Sequence, residues 1–205
     1  MTIYYKDNAF YNDDLGDVPA GAVEISDAQH AELLAALNAG SLILPDLSVT
    51  PPRPSALHTW DGKTWVLDKA AAQAHKAAQQ EEMWTRIKAK REVQRYGGAY
   101  IPALKKWLQT DEPSRTQYLQ LQLLEAKGLF KQPVRWKTMD NSFIGLDAAA
   151  VTAIALQIMD NEQADFANAE RHRAAMLKAD NPLDYDYSGG WTANYATAEA
   201  RESTK

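Results

Sequence analysis

Four histidines, His30, His58, His75 and His172, are the first places to look for chemistry in this 205-residue chain. None stands three or four residues from another histidine, so no helix face presents a metal pair, and the H-E-x-x-H arrangement is absent. The chain has no cysteine, which removes thiolate metal sites, disulfides and cysteine nucleophiles. No serine sits in a nucleophile elbow. The glycine pairs Gly97-Gly98 and Gly189-Gly190 lack the lysine and spacing of a phosphate loop. Adjacent acids at Asp13-Asp14, Glu81-Glu82 and Asp111-Glu112 point in different directions on a helix or fall in turns and caps. The residues give no catalytic group, no metal ligands and no cofactor site, and a non-enzymatic protein is expected.

Charge is distributed in blocks. Residues 1–68 carry ten acidic and three basic side chains, a net of −7; residues 69–138 carry fourteen basic and six acidic, a net of +8; residues 139–205 return to −6. Arg86, Lys88, Lys90, Arg91 and Arg95 crowd the middle block. On a helical wheel they fall on two sectors rather than one stripe, and the whole chain is acidic at −5. Contact with protein is therefore expected in preference to nucleic acid. The better interaction signal is the aromatic set Tyr4, Tyr5, Phe10, Tyr11, Trp60 and Trp65, more rings than a 68-residue unit readily buries. Tyrosine and tryptophan supply contact area at small entropic cost, and these six are the candidate partner-binding residues.

These residues must be positioned by short strands and long helices. Alanine and leucine outnumber valine and isoleucine 54 to 15, a balance that favours helix over sheet. MTIYY and Phe10-Tyr11 predict a hairpin, Val23 to Ile25 another strand. Ser26 with Gln29 forms a capping box for a helix carrying His30, Leu33, Leu34 and Leu37 on one face, ended by Gly40. His30 is expected at the edge of a core. SLILPDL reads as strand-like, with Pro45 marking an edge or an end, and Asp61-Gly62 between Trp60 and Trp65 as a type I′ hairpin turn. Asp68 caps a helix running to Gly97, with an Ala/Gln-rich first half that can bury little. Beyond it come two strands around Pro102, a helix from Asp111 to Lys127 that should touch neighbours on several sides, and a hairpin with Asp140-Asn141 at its tip. A final helix runs from Asp147 to about Ala179, with Val151, Ile158, Phe166 and Met176 on one stripe. Tyr185, Tyr187 and Trp191 are expected to dock back on the fold.

The expected class is α+β: a small N-terminal α+β unit (1–68), a helical linker (69–82), a C-terminal α+β module with short hairpins and a long helix (83–195), and a flexible tail (196–205). No apolar run reaches the length of a membrane span and the N-terminus does not read as a signal peptide, so no membrane partner is expected.

YYKDNAFY, VPAGAVEIS, LNAG and WDGKTWVLD resemble the N-terminal part of tail-fibre assembly proteins of tailed bacteriophages. RIKAKREVQRYGG, WLQTDEPSR and VRWKTMDNSFIGLD, followed by a long helix, resemble a phage-associated domain of unassigned function found behind such units. The resemblance implies a chaperone that binds a trimeric tail-fibre protein and promotes its folding, acting in the host bacterial cytoplasm and in some cases staying at the virion fibre tip. The alternative it leaves is a structural or receptor-binding component of the tail. Self-association is a further expectation.

Overall fold

In a computed structural model the chain is α+β, and it is described over residues 1–202. It divides into two compact units, Met1–Ala74 and the remainder from His75. The division falls within the Ala/Gln-rich stretch.

In the first unit, β1 (Ile3–Lys6) turns through Asp7-Asn8 into β2 (Ala9–Asn12) and pairs on its other edge with β3 (Val23–Ile25), giving the antiparallel order β2-β1-β3. Asp7 and Asn8 take φ of 48° and 63°. Both central residues at positive φ is the backbone of a type I′ turn, and Asp and Asn are the side chains that tolerate it. Helix α1 (Asp27–Asn38) starts on the expected capping box: Ser26 Oγ accepts from the Gln29 amide at 3.2 Å, and the Gln29 side chain accepts from the Ser26 amide at 3.0 Å. Ile3, Tyr5, Ile25, Leu33 and Ile43 form the core.

Two local expectations are corrected. SLILPDL makes a single bridge, Ile43 to Val49, instead of a strand, because the chain reverses through Pro45 and Leu47, whose φ is 64°. The hairpin of β4 (His58–Trp60) and β5 (Trp65–Leu67) forms, with Trp60 opposite Trp65, but around a four-residue loop. Only Gly62 there is at positive φ. The Asp61 carboxylate replaces the tight turn by accepting from the amides of Lys63 and Thr64 at 2.8 and 2.7 Å.

Helix α2 (Lys69–Tyr96) begins where Asp68 accepts from the Ala71 amide, and its first buried side chain is Met83. In the second unit it leads into the hairpin β6 (Ala99–Ile101) and β7 (Lys106–Leu108), then α3 (Glu112–Ala126), the hairpin β8 (Val134–Lys137) and β9 (Phe143–Leu146), and α4 (Ala148–Met176). Asp111 and Asp147 cap α3 and α4 by accepting from amides three residues on. One core gathers Ile101, Leu108, Tyr118, Leu121, Leu146, Val151 and Ile154 among both hairpins, α3 and α4. A second joins Met83 and Ile87 of α2 to Ala169 and Met176 of α4. Gln80 reaches the Leu177 carbonyl and Arg95 reaches Glu162, so this part of α2 runs antiparallel to α4.

Tyr185, Tyr187 and Trp191 pack against the second core. The stripe expected on α4 is broken, since Phe166 is 55% exposed. Val151 packs on the hairpins and α3 whereas Met176 packs on α2, so the buried face shifts along the helix. Within the segment expected as a flexible tail, Tyr195–Glu202 form α5. The Tyr195 amide donates to the Gly97 carbonyl, and Asn194 and Thr197 cap the helix reciprocally. Its last expected residues, 203–205, lie outside the described residues.

Candidate functional site

The six aromatic candidates of the first unit divide by face. On β1, Ile3 and Tyr5 point into the core while Tyr4 takes the opposite face, directly paired with Tyr11 of β2. Tyr5 is buried and its hydroxyl donates to Asn8 Oδ1 at 2.9 Å. Burial pushes its pKa up. Phe10 packs against Tyr5 and edge-on against His30, with ring centroids 4.6 Å apart in the second pair. Tyr4 and Tyr11 are half-buried. Trp60 and Trp65 meet edge to face across β4 and β5. Trp65 Nε1 donates to the Pro51 carbonyl at 2.7 Å, and the Arg53 guanidinium lies over its ring. Trp60 Nε1 is buried without a partner. The unit thus spends Tyr5 and Phe10 on its core and leaves the Tyr4–Tyr11 pair on the other sheet face.

The second unit holds a cleft of about 200 Å³ where α2, α3 and α4 meet, lined by Arg91, Arg95, Arg115, Glu162, Asp165 and Phe166 among others. Arg115 is its organising side chain. It donates to the carbonyls of Thr110 and Arg95 and pairs with Glu162 at 2.7 Å. Glu162 also accepts from Arg95 Nε at 3.0 Å. Arg95 lies 3.6 Å from both Glu92 and Glu112, and Glu112 accepts from the Tyr96 hydroxyl. Partial burial disfavours the Arg95 cation, but the Glu162 hydrogen bond and the surrounding carboxylates carry its pKa above the ordinary value. Arg91 is held by Glu92 and stacks over the exposed Phe166 ring.

Behind the cleft runs a buried polar seam. Asp165 accepts from the Thr192 amide and hydroxyl at 2.8 and 2.7 Å, Asn168 donates to the Gly189 carbonyl, and Gln94 holds both Thr192 and Asn194. His172 bonds Tyr185 Oη and the Gly189 carbonyl at 2.9 Å each and stacks on Trp191. These contacts tie the segment before α5 to α2 and α4. Close approach is built in at Gly97, where an added Cβ would lie 2.6 Å from Asn194 Cβ.

The hairpin tip of Asp140-Asn141 is a third polar cluster. Asp140 accepts from Lys106 Nζ at 2.6 Å and from Thr138, Ser142 and the Ser142 amide. Those bonds, Lys106 first, hold its carboxyl far below the ordinary range. The Met139 amide donates to the Trp107 carbonyl and the Gly98 amide to Thr110 Oγ1, so both hairpins lock to the end of α2.

The sequence segments RYGG, LQTDEPSR and WKTMDNSF therefore converge on one junction. The family described as Domain of unknown function (DUF4376) matches residues 77–189, more than half of the chain. The chain belongs to that family. The DUF4376 match holds the Arg95–Glu162–Arg115 cluster and the Asp140 tip, and stops just short of Thr192 and Asn194, which close the polar seam. No curated protein and no solved structure matches the chain significantly.

The chemistry of the junction is that of a latch. Arg95 and Arg115 are spent on carboxylates and helix-end carbonyls, and Asp165 on Thr192. Of the crowded cations of α2, Arg86 likewise pairs with Glu82 at 2.6 Å and Lys88 with Glu81 at 3.8 Å. Among the described residues, no three His, Asp or Glu side chains are grouped to hold a metal ion, and no helix is long and apolar enough to cross a membrane. Sequence reading missed Asp165 and Asn168. Their signal was available: Asp165, Asn168 and His172 recur at i, i+3 and i+7 on the face that also carries Ala169 and Met176.

Proposed function

We propose that the chain is a non-enzymatic assembly factor that binds a phage tail-fibre protein and promotes its folding and trimerisation in the host cytoplasm. The observation that carries this reading is the surface of the first unit: a three-stranded sheet with Tyr4 and Tyr11 on the face away from the core. Among the described residues, its edge strands β2 and β3 pair with no further strand. Unfinished fibres rich in β structure expose strand edges and apolar surface, both prone to aggregation. A small sheet with open edges and an aromatic face suits temporary cover of such surfaces, by strand addition and ring contact. The resemblance of YYKDNAFY and WDGKTWVLD to tail-fibre assembly proteins supports the same reading. Leu15, Val23, Val66 and Leu67 add exposed apolar area to this unit.

Co-expression with the neighbouring tail-fibre gene product tests it. Soluble trimeric fibre should form with the native chain and fall sharply with Tyr4→Ser/Tyr11→Ser, while that variant keeps its helical content. Fibre equally soluble without any partner would count decisively against the assignment.

A further inference from the structure

We infer that the outer seam between α3 and α4 is a homodimer interface, filled by the same seam of a second copy across a twofold axis. This goes beyond the assembly reading and stands without it.

Helix α3 lies antiparallel on α4, with Arg115 beside Glu162 at one end and Gln122 beside Ala155 further along. Only Tyr118 and Leu121 of α3 are buried. Leu119 is 65% and Leu123 55% exposed, one turn apart on the same ridge. On α4, Leu156 and Met159 are exposed as well. Beside the leucine ridge runs a shallow groove of about 230 Å³, walled by Tyr118, Leu119, Gln122, Ala155, Ile158 and Met159. A sequence periodicity that places leucines on several sides of α3 predicts neighbours on several sides. Helix α4 and the hairpins cover the side of Tyr118 and Leu121, and among the described residues the side of Leu119 and Leu123 is left open.

Two features identify the occupant as a copy of the chain. The first is charge. Nothing ionisable but Tyr118 lies between Arg115 and Glu125 on α3, and no charged residue lies between Asp147 and Asp160 on α4. The flanking Arg115 and Glu162 already neutralise each other. Elsewhere the chain alternates strongly charged blocks, and like charges facing across a symmetry axis would repel. This seam is where two copies meet without that cost. The second is shape. A ridge lying next to a groove on one antiparallel helix pair is self-complementary, since a twofold rotation sets each ridge into the other groove. Left open, contiguous exposed leucine and methionine side chains are the kind of patch that monomers seldom present.

The native full-length chain should sediment as a dimer over a concentration series. Leu119→Glu/Leu123→Glu should shift it to monomer, raising the dissociation constant by about a hundredfold or more. Val93→Glu, on an exposed position of α2, should leave the mass unchanged. Because the chain lacks cysteine, Leu119→Cys and Leu123→Cys provide a second readout that does not depend on disrupting the surface: at least one should cross-link two copies on oxidation, and Val93→Cys should not. A native chain that stays monomeric to its solubility limit would overturn the inference. So would an unchanged dimer in the double variant. Loss of fibre capture by the double variant, with the native chain monomeric, would also overturn it and give the seam to the fibre instead.

Discussion

Arg115→Ala tests whether the junction of the DUF4376 unit is a structural latch. The Arg115 side chain is 15% exposed and makes three charge-assisted contacts. Its Nη2 donates at 2.8 Å to the Arg95 carbonyl, one of the last of α2 and without an intrahelical amide to serve it. Its Nε serves the Thr110 carbonyl, and its Nη1 lies 2.7 Å from Glu162. Hydrogen bonds to charged groups contribute roughly 1.5–3 kcal/mol each. The sum is not additive, because Glu162 keeps Arg95 and water reaches the rim of the cleft. The Glu162 side chain is 38% exposed, so its pair with Arg115 is worth far less than a buried one. The expected loss is about 2–4 kcal/mol, most of it from the two carbonyl bonds. It is a large part of the ~5–15 kcal/mol that holds a domain folded.

Urea unfolding followed by far-UV circular dichroism reports mainly α2, α3 and α4, and is the suitable assay. Tryptophan fluorescence would mix Trp60 and Trp65 of the first unit into the signal. Arg115→Lys retains the charge but loses the planar fork that reaches two carbonyls at once, and should still cost about 2 kcal/mol. In a double-mutant cycle with Glu162→Gln the coupling should be about 1 kcal/mol or more. A loss below about 1 kcal/mol in Arg115→Ala, or an Arg115→Lys variant as stable as the native chain, would refute the latch and free Arg115 for ligand chemistry.

Three further outcomes follow from single contacts. Asp140→Asn should destabilise the chain at neutral pH. The folded carboxyl titrates below its unfolded value of about 3.9, so its contribution is complete above that value and fades as pH falls from there; urea midpoints of the two proteins should converge in acid and stay apart at pH 7. Gly98→Ala places a Cβ on the Met139 side chain at a φ of +88° and should cost about 1–3 kcal/mol; adding Met139→Ala should recover part of the loss, and failure to recover any would show that the backbone conformation alone sets it. Trp65→Phe gives up the bond to the Pro51 carbonyl and should cost about 1 kcal/mol. Trp60→Phe gives up no bond, so its thermal midpoint should fall less.

What was legible in the sequence was local. Ser26 with Gln29, Asp111 and Asp147 each mark a helix start because a cap is decided within four residues. The aromatic hairpin at Trp60 and Trp65 was legible for the same reason, yet its turn type was not. Asp61 has amides within reach that satisfy its carboxylate in a wider loop, while the type I′ geometry went to Asp7-Asn8, where no glycine announces it. The cleft was illegible. Arg95, Arg115 and Glu162 lie on three helices, and no spacing rule links them; only the packing of α2 and α3 on α4 brings them together. Leu119 and Leu123 were visible as a second apolar side of α3, but the sequence could not tell a side covered within the chain from one left open.

Among the described residues, Trp60 Nε1 and Gln109 Oε1 are the buried side-chain polar atoms without a partner. In the DUF4376 unit, Gln94, Thr110, Asp165 and Asn168 are buried and each bonds to another part of the same unit, while buried Thr138 bonds within its own hairpin to Asp140 and Ser142. Such a network fixes three helices and two hairpins in one arrangement, because every member has an uncompensated desolvation cost if any other moves. Rigidity of that kind is useful when a surface must keep its shape. The exposed leucines of α3 and the tyrosine pair of the first unit are surfaces of that sort, one free of charge and the other aromatic. The roles proposed for the two faces can be separated by experiment, because Leu119→Glu/Leu123→Glu should affect self-association and Tyr4→Ser/Tyr11→Ser the proposed fibre capture.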